Sequence, residues 1–129
     1  MAPRFDLIGL VVADMAASLA FYRRLGLDVP PGSDDQPHVE AVLPGGLRFA
    51  WDTEAVVRSI DPDFERPADS AVGLAFLCDS PSEVDTTHAE LVAAGHRSHH
   101  EPWDAFWGQR YATVIDPDGY HVDLFAPLS

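Results

Sequence analysis

Residues 108–125, GQRYATVIDPDGYHVDLF, predict a β-hairpin near the carboxyl end of the chain. Its arms, residues 110–115 and 120–125, are rich in the β-branched and aromatic side chains that favour strands. The Asp-Pro-Asp-Gly segment between them has a proline that fixes φ and a glycine suited to a left-handed corner. Because this segment lacks the further acidic positions and closing glutamate of an EF-hand loop, we predict a turn and not a calcium site.

A strand and a helix are predicted upstream of this hairpin. Residues 71–78 form a short apolar run typical of a strand. The motif Ser-Pro-Ser-Glu at 80–83 has the form of a capping box, and apolar side chains follow it at helical spacing. Gly95 is predicted to end the helix, and residues 96–103 are predicted to be extended.

The first half of the chain repeats this order of elements. An apolar run at 5–12 predicts a strand buried on both faces, and a helix capped by Asp14 and ended by Gly26 follows. Two further strands, at 38–43 and 47–52, are joined by a Gly-Gly turn.

The repeat predicts one domain over residues 1–129, made of two modules. Module one spans about 4–54, a linker about 55–69 and module two about 70–128. The linker is rich in proline and acidic residues, with one helical turn predicted at 54–60. Because neither small unit buries both faces of its sheet alone, we predict that the two modules pair.

Charge and cysteine content restrict the function. The chain has 8 basic and 21 acidic residues and a net charge of −13, which disfavours nucleic acid and anionic membranes and attracts cationic ligands. The single cysteine, Cys78, lies in an apolar run, so we predict a core residue in a reducing, cytoplasmic compartment. No apolar run has bilayer-spanning length, and residues 1–5 lack the pattern of a secretory signal.

Two motifs resemble a known family. The stretch DMAASLAFYRRLG at 14–26 and the hairpin at 108–125 are similar to the end motifs of the glyoxalase/bleomycin-resistance (vicinal-oxygen-chelate) superfamily, and GLAF at 73–76 resembles the opening strand of its second module. The resemblance covers nearly the whole chain. It implies an α+β fold of paired βαβββ modules, whose curved mixed sheet forms a cup with helices on its outer face. It also implies a homodimer. Enzymes of the family bind a divalent metal in the cup, whereas its binding proteins sequester drugs there without a metal.

The resemblance places the family's metal ligands in the first and last strands of each module. In this chain, the four positions hold Leu7, Ala50, Gly73 and Asp123. Only Asp123 offers a side-chain donor, and one carboxylate with water does not hold a divalent ion tightly. We therefore predict no metal, no cofactor and no catalytic residue. A slip of one residue in a strand would reverse the face and weaken this prediction.

Histidines form the densest alternative group of donors. If residues 96–103 are a strand, His96 and His100 face one way, and His99 and Glu101 face the other. Each face then offers two donors and no third ligand, so we interpret this group as surface histidines. No nucleophile–base pair is apparent.

Aromatic residues crowd into a predicted loop before the final hairpin. Trp103 and Trp107 are predicted to stack on a planar or cationic ligand, with Phe106 as a further candidate. In the alternative, Trp107 plugs the core and Phe106 covers a sheet edge. Tyr111 and Phe125 are predicted to wall the far side of the cup.

Strand alternation adds charged candidates. If Ala50 faces the cup, so do Arg48 and Asp52, either as a solvated ligand site or in a salt bridge with each other or with the other subunit. Phe49 and Trp51 then pack under the helices. A slip of one residue would instead make Trp51 a wall residue.

Three hypotheses follow. The preferred one is a cytoplasmic homodimer that sequesters a planar small molecule, with a positive charge on that molecule as an option, as in antibiotic resistance. The second is a divalent-metal lyase, isomerase or dioxygenase with Asp123 as a ligand. The third is an interaction module without a ligand. The candidate ligand-binding residues are Trp103, Trp107, Arg48, Asp52, Asp123, His38, Phe106, Tyr111 and Trp51, with Glu40 beside His38 and His121 beside Asp123.

Overall fold

A computed structural model describes residues 2–67 and 72–129 of the chain. It divides the chain into two units, Met1–Arg66 and Pro67–Ser129. The boundary falls within the predicted linker; residues 68–71, which include the predicted start of module two, lie outside the described residues. Across the part of the chain that is described, the fold is α+β, with two open mixed sheets and three helices. No helix in this part is both long and apolar enough to cross a membrane.

Unit 1 has a three-stranded sheet in the order β1-β3-β2. Strands β1 and β3 are parallel, and β2 and β3 are antiparallel. The elements are β1 (Leu7–Val12), α1 (Met15–Arg24), β2 (His38–Val42), β3 (Arg48–Thr53) and α2 (Glu54–Ile60).

Local sequence signals set the ends of α1. The Asp14 carboxylate accepts a hydrogen bond from the backbone N–H of Ala17 at 3.1 Å, and Gly26 follows the helix with a φ of 92°. One face of α1 packs on the sheet, where the Tyr22 ring lies 5.3 Å from Phe49 and 5.8 Å from Trp51, centroid to centroid. Burying each such ring stabilises the fold by about 1.5–3 kcal/mol.

Unit 1 differs from the predicted βαβββ module in two respects. It has no strand between α1 and β2 among the described residues, because the segment at 27–37 contains three prolines that cannot donate to a ladder. Strand β1 is also buried on one face only: Leu10 and Val12 are buried under the helix side, while Gly9 on the other face is exposed. The prediction of burial on both faces was wrong.

Unit 2 has the complete βαβββ order in a four-stranded sheet, β4-β7-β6-β5. Strands β4 and β7 are parallel, and the other pairs are antiparallel. The elements are β4 (Gly73–Leu77), α3 (Pro81–Ala93), β5 (Arg97–Ala105), β6 (Gln109–Ile115) and β7 (His121–Pro127). The Ser80 hydroxyl caps α3 by accepting the N–H of Glu83 at 3.2 Å. Val84, His88 and Leu91 form the buried face of α3.

The predicted turn between β6 and β7 is confirmed. The backbone N–H of Gly119 donates to the Asp116 carbonyl at 3.1 Å, and Gly119 has a φ of 93°. The Asp116 carboxylate accepts the backbone N–H groups of Asp118 and Tyr120 at 2.8 and 2.9 Å. This carboxylate therefore closes the turn.

Candidate functional site

The strand register of unit 2 brings four predicted site residues onto the face opposite α3. Trp103 pairs with Tyr111, Tyr111 with Phe125, and Thr113 with Asp123. Residues directly opposite each other project from the same side of a sheet. The alternating residues on β6 and β7, such as Val114 and Leu124, are buried, and α3 packs against these strands. Trp103 lies in β5, in agreement with the extended segment predicted at 96–103 and not with the loop to which it was also assigned.

Aromatic rings form a continuous cluster on this face, here called the aromatic face: Trp103, Trp107, Tyr111 and Phe125. Trp107, in the β5–β6 turn, contacts Trp103 edge to face at 5.5 Å and Tyr111 at 5.2 Å, and Tyr111 stacks on Phe125 at 6.3 Å. The Trp107 indole N–H donates to the Gln109 amide oxygen at 2.7 Å, and 48% of Trp107 is exposed. Phe106 touches Trp107 at 4.9 Å but is 91% exposed, so it lies at the outer end of the cluster.

A carboxylate lies beside these rings. The two oxygens of Asp123 accept hydrogen bonds from Tyr111 Oη at 2.6 Å and Thr113 Oγ1 at 2.7 Å. Burial, together with the neighbouring Asp123, raises the pKa of Tyr111 to about 12, so its phenol stays a donor at neutral pH. In the described part of the chain, no arginine pairs with Asp123, and the sequence contains no lysine. Its charge is held by hydroxyl groups and not by a cation.

The charged candidates of unit 1 form a separate network on β2 and β3. The His38 ring bridges two carboxylates, with Nδ1 2.5 Å from Asp52 and Nε2 2.7 Å from Glu40. Arg48 donates to Glu40 at 2.9 Å and also binds Asp6. The bonds to Glu40 and Asp52 raise the pKa of His38, and those from His38 and Arg48 lower the pKa of Glu40. These charges pair with one another, but Arg48 binds Glu40 and Asp6 while Asp52 binds His38, instead of the predicted salt bridge between Arg48 and Asp52.

Trp51 lies in the core of unit 1, and its place among the candidate ligand residues is corrected here. Its side chain is 0% exposed and contacts Tyr22 and Phe49. Strand alternation, with Ala50 on the face opposite α1, puts Trp51 under the helix, so a ligand on the other face cannot reach it.

The family's metal positions do not fit a metal ion in this chain. The register pairs Ala50 with Gly9 and Asp123 with Ala75, and it places Leu7 and Gly73 on the same faces as these residues. Leu7, Ala50 and Gly73 have no side-chain atom that can bind a metal ion, which leaves Asp123 as the one donor among the four positions. Within residues 2–67 and 72–129, no group of three or more His, Cys, Asp or Glu side chains has the arrangement of a metal site.

One polar pair was missed by the sequence analysis. His88 Nε2 on α3 lies 2.7 Å from Ser98 Oγ on β5. Burial lowers the pKa of His88, against the opposing effects of Glu101 and Asp85. The pairing depends on the packing of α3 on β5, which no spacing along the chain reveals. The His88–Ser98 hydrogen bond joins α3 to β5 within unit 2.

Two open depressions in unit 1 were also not predicted. Their volumes are about 710 and 980 Å³, and Asp34 and Asp35 line both of them. None of the candidate ligand residues lines either depression. A charged Asp-Asp pair next to a Pro-Pro-Gly loop was the available sequence signal.

The chain is thus an α+β protein of two related sheet-and-helix units. The sequence profile of the Glyoxalase/Bleomycin resistance protein/Dioxygenase superfamily matches residues 4–124, and the chain belongs to this superfamily. The comparison with curated proteins found no match.

Solved structures support the same conclusion. A glyoxalase/bleomycin resistance protein/dioxygenase from Nocardioides is 27% identical, with a TM-score of 0.76 and coverage of 100% of this chain and 86% of that chain. A family enzyme from Burkholderia phytofirmans is 16% identical, with a TM-score of 0.84 and coverage of 98% and 100%. A glyoxalase-related enzyme from Fulvimarina pelagi is 21% identical, with a TM-score of 0.79 and coverage of 97% and 88%. The latter two similarities show the fold alone.

Proposed function

We propose that this protein binds a planar aromatic small molecule on the aromatic face, without a metal ion. The observation that carries the proposal is the unbroken series of ring contacts from Trp103 through Trp107 and Tyr111 to Phe125. Two of these rings are indoles, and Trp107 leaves nearly half of its surface uncovered. Partly exposed aromatic groups of this kind mark binding surfaces more often than isolated apolar residues do.

Stacking supplies the affinity in this proposal. Each aromatic pair contributes about 0.5–1.5 kcal/mol beyond the area it buries. A ligand that covers two or three rings therefore reaches about micromolar affinity if it also removes their exposed surface from water. Phe106 extends the surface at its outer end, where it contacts Trp107.

Charge favours a cationic ligand over an anionic one. Asp123 lies on the same face as Tyr111 and Phe125, and hydroxyl donors occupy only one acceptor direction of each oxygen. A ligand ammonium group has room to bind these oxygens, and the ring faces attract it as well. The net charge of −13 adds a long-range attraction. Sequestration of an antibiotic is the biological use that we propose, and it is supported by membership of a superfamily that includes bleomycin resistance proteins.

Tryptophan fluorescence tests this proposal. Titration with a panel of planar natural products and dyes should quench emission from Trp103 and Trp107, with Trp51 as the buried background. Trp107→Ala should weaken binding by about tenfold, which corresponds to about 1.4 kcal/mol. Phe5→Ala, at an exposed aromatic residue of unit 1, is the matched control and should bind like the unaltered protein. Quenching that survives Trp107→Ala and Trp103→Ala together would reject the aromatic face as the site.

A metal-dependent lyase, isomerase or dioxygenase is the second candidate, favoured by the enzyme names of structural relatives. The enzyme candidate is disfavoured because Leu7, Ala50 and Gly73, at three of the four metal positions, have no side-chain atom that can bind a metal ion. Elemental analysis separates the two: stoichiometric metal that is lost in Asp123→Ala would support the enzyme. If the panel yields no ligand and no thermal shift, an interaction module becomes the better explanation. The homodimer and the cytoplasmic location stay predictions; light scattering tests the first.

A further inference from the structure

A bulge in β5 brings together two histidines that the sequence separates. The pairing of β5 with β6 shifts register between Ser98 and His100, which leaves His99 without a paired residue on β6. Bulges re-aim side chains in this way. The His99 ring lies against the His121 ring of β7, with 4.5 Å between centroids and 41° between planes. Simple alternation along a strand, as we had assumed, does not predict this contact.

In residues 2–67 and 72–129, no protein group binds the ring nitrogens of this histidine pair (His99 and His121). His38, His88 and His100 use ring nitrogens in bonds to carboxylates, a serine hydroxyl and a backbone carbonyl, respectively. By contrast, the four ring nitrogens of the histidine pair have no hydrogen-bond or ion-pair partner among the residues that the structure describes. A neutral imidazole with a free nitrogen offers a lone pair to a metal ion.

We propose that His99 and His121 form a two-imidazole site for a divalent transition-metal ion of the class that prefers imidazole, namely Cu²⁺, Zn²⁺ or Ni²⁺. Imidazole nitrogens bind Zn²⁺ at about 2.0–2.1 Å, so the two donor atoms must approach to about 3 Å, which adjacent rings reach by small side-chain rotations. Water completes the coordination of such an ion. His121 pairs with Gly73 and lies two residues before Asp123, so this site borders the family's metal positions but uses different side chains as ligands.

The surroundings bear on which ions bind. Oxygen-preferring ions such as Mg²⁺ and Ca²⁺ gain little from two imidazoles, whereas Cu²⁺ binds nitrogen sites most tightly of the three proposed ions. Asp123 follows two positions after His121 on the same face of β7, and its negative charge favours a cation nearby. Arg97 pairs with Ile115, which in turn pairs with His121, so its positive charge lies on the same side of the sheet and opposes the binding of a cation.

Copper titration of the full chain tests the site. Electron paramagnetic resonance should show one bound Cu²⁺ with hyperfine coupling from two nitrogens, and the signal should be lost on acidification because protons compete for the same lone pairs. His99→Asn and His121→Asn should each lower the affinity for Cu²⁺ by about tenfold or more. Calorimetry with Zn²⁺ should likewise show tighter binding by the unaltered protein than by either variant. An excess of Mg²⁺ should not displace the bound Cu²⁺ or Zn²⁺.

Two neighbouring histidines serve as matched controls. His38→Asn alters a ring with both nitrogens bonded, and His100→Asn alters a ring whose Nδ1 is bonded to the Glu101 carbonyl and which is not part of the histidine pair. In both variants the affinity for Cu²⁺ should stay within about twofold of the unaltered protein. Circular dichroism verifies that each variant is folded. Equal losses in His100→Asn and His99→Asn, or a copper signal with one nitrogen in the unaltered protein, would overturn the proposal. Either result leaves the aromatic-face proposal unaffected, because that is measured without metal.

Discussion

Tyr111 donates its phenolic hydrogen to Asp123 at 2.6 Å across the β6–β7 pair. The contact joins an aromatic ring of the proposed binding face to the carboxylate beside it. Thr113 donates to the second oxygen at 2.7 Å. Because both partners are hydroxyls, the carboxylate is held in position while its charge stays available to a ligand.

The charge of Asp123 should select among ligands. Asp123→Asn should lower the affinity for a cationic planar ligand by about tenfold, equivalent to about 1.4 kcal/mol. The affinity for a neutral analogue of the same shape should change by less than about twofold. Calorimetry with such a matched pair of ligands measures this difference. Asp79→Asn, at an exposed acid of the same unit, controls for net charge. If Asp123→Asn weakened the binding of both ligands equally, the cause would be a change in the structure of the site and not the loss of the charge.

The Tyr111 phenol should lose its proton at a higher pH than an ordinary tyrosine. Its pKa of about 12 lies above the ordinary value of 10.0 because of burial and the adjacent Asp123. A group whose pKa is raised by folding contributes stability below its unfolded pKa, and that contribution is lost as pH rises from 10.0 through about 12. Ultraviolet titration should show this late component, and Tyr111→Phe should remove it. An unchanged titration in Tyr111→Phe would assign the component to another tyrosine.

Local signals explain why most of the fold could be predicted. The caps Asp14 and Ser80 and the turn at 116–119 each depend on contacts within four residues, so the sequence displays them directly. Alternation along β3 likewise separates Arg48 from Trp51 without any tertiary information. The sequence also contains the signal for the missing strand of unit 1, namely Pro30, Pro31 and Pro37 between α1 and β2.

The site was less predictable because its key contacts cross between elements. The His99–His121 contact depends on a bulge, and nothing in the run His-Arg-Ser-His-His marks where the register shifts. The His88–Ser98 bond depends on how α3 packs on β5. The hydrogen bond between Tyr111 and Asp123 was not predicted; it follows from the register of β6 and β7, which pairs Tyr111 with Phe125 and Thr113 with Asp123.

His88 should make unit 2 sensitive to acid. Burial lowers its pKa below 6.5, so the stability it contributes is present above that pH and is lost as pH falls through the folded value. The midpoint of urea unfolding should decrease on mild acidification, and His88→Gln should reduce this decrease. Ser98→Ala removes the hydrogen bond and should cost about 0.5–1.5 kcal/mol. Ser59→Ala, at an exposed helical serine, should change stability less.

His38 should stabilise unit 1 at acidic pH, in contrast to the effect of His88 on unit 2. Its pKa is raised by hydrogen bonds to Glu40 and Asp52, so its contribution to stability is complete below 6.5 and is lost as pH rises through the folded value. The chemical shifts of its ring protons should therefore titrate above those of an exposed histidine in a peptide. Glu40→Gln should bring the titration closer to the peptide value. A midpoint that does not move in Glu40→Gln would show that the bond is absent in solution.

Trp51 provides a test of the core assignment. Its indole N–H is buried without a hydrogen-bond partner among the residues that the structure describes, and an orphan donor of this kind costs about 1–3 kcal/mol. Trp51→Phe loses packing volume but also removes that donor, so the net loss of stability should stay below about 1.5 kcal/mol. Trp51→Ala leaves a cavity between Tyr22 and Phe49 and should cost about 3–5 kcal/mol. Urea unfolding measures both values. Ligand affinity should not change in Trp51→Phe, because the side chain lies under α1; a tenfold weakening would return Trp51 to the binding surface.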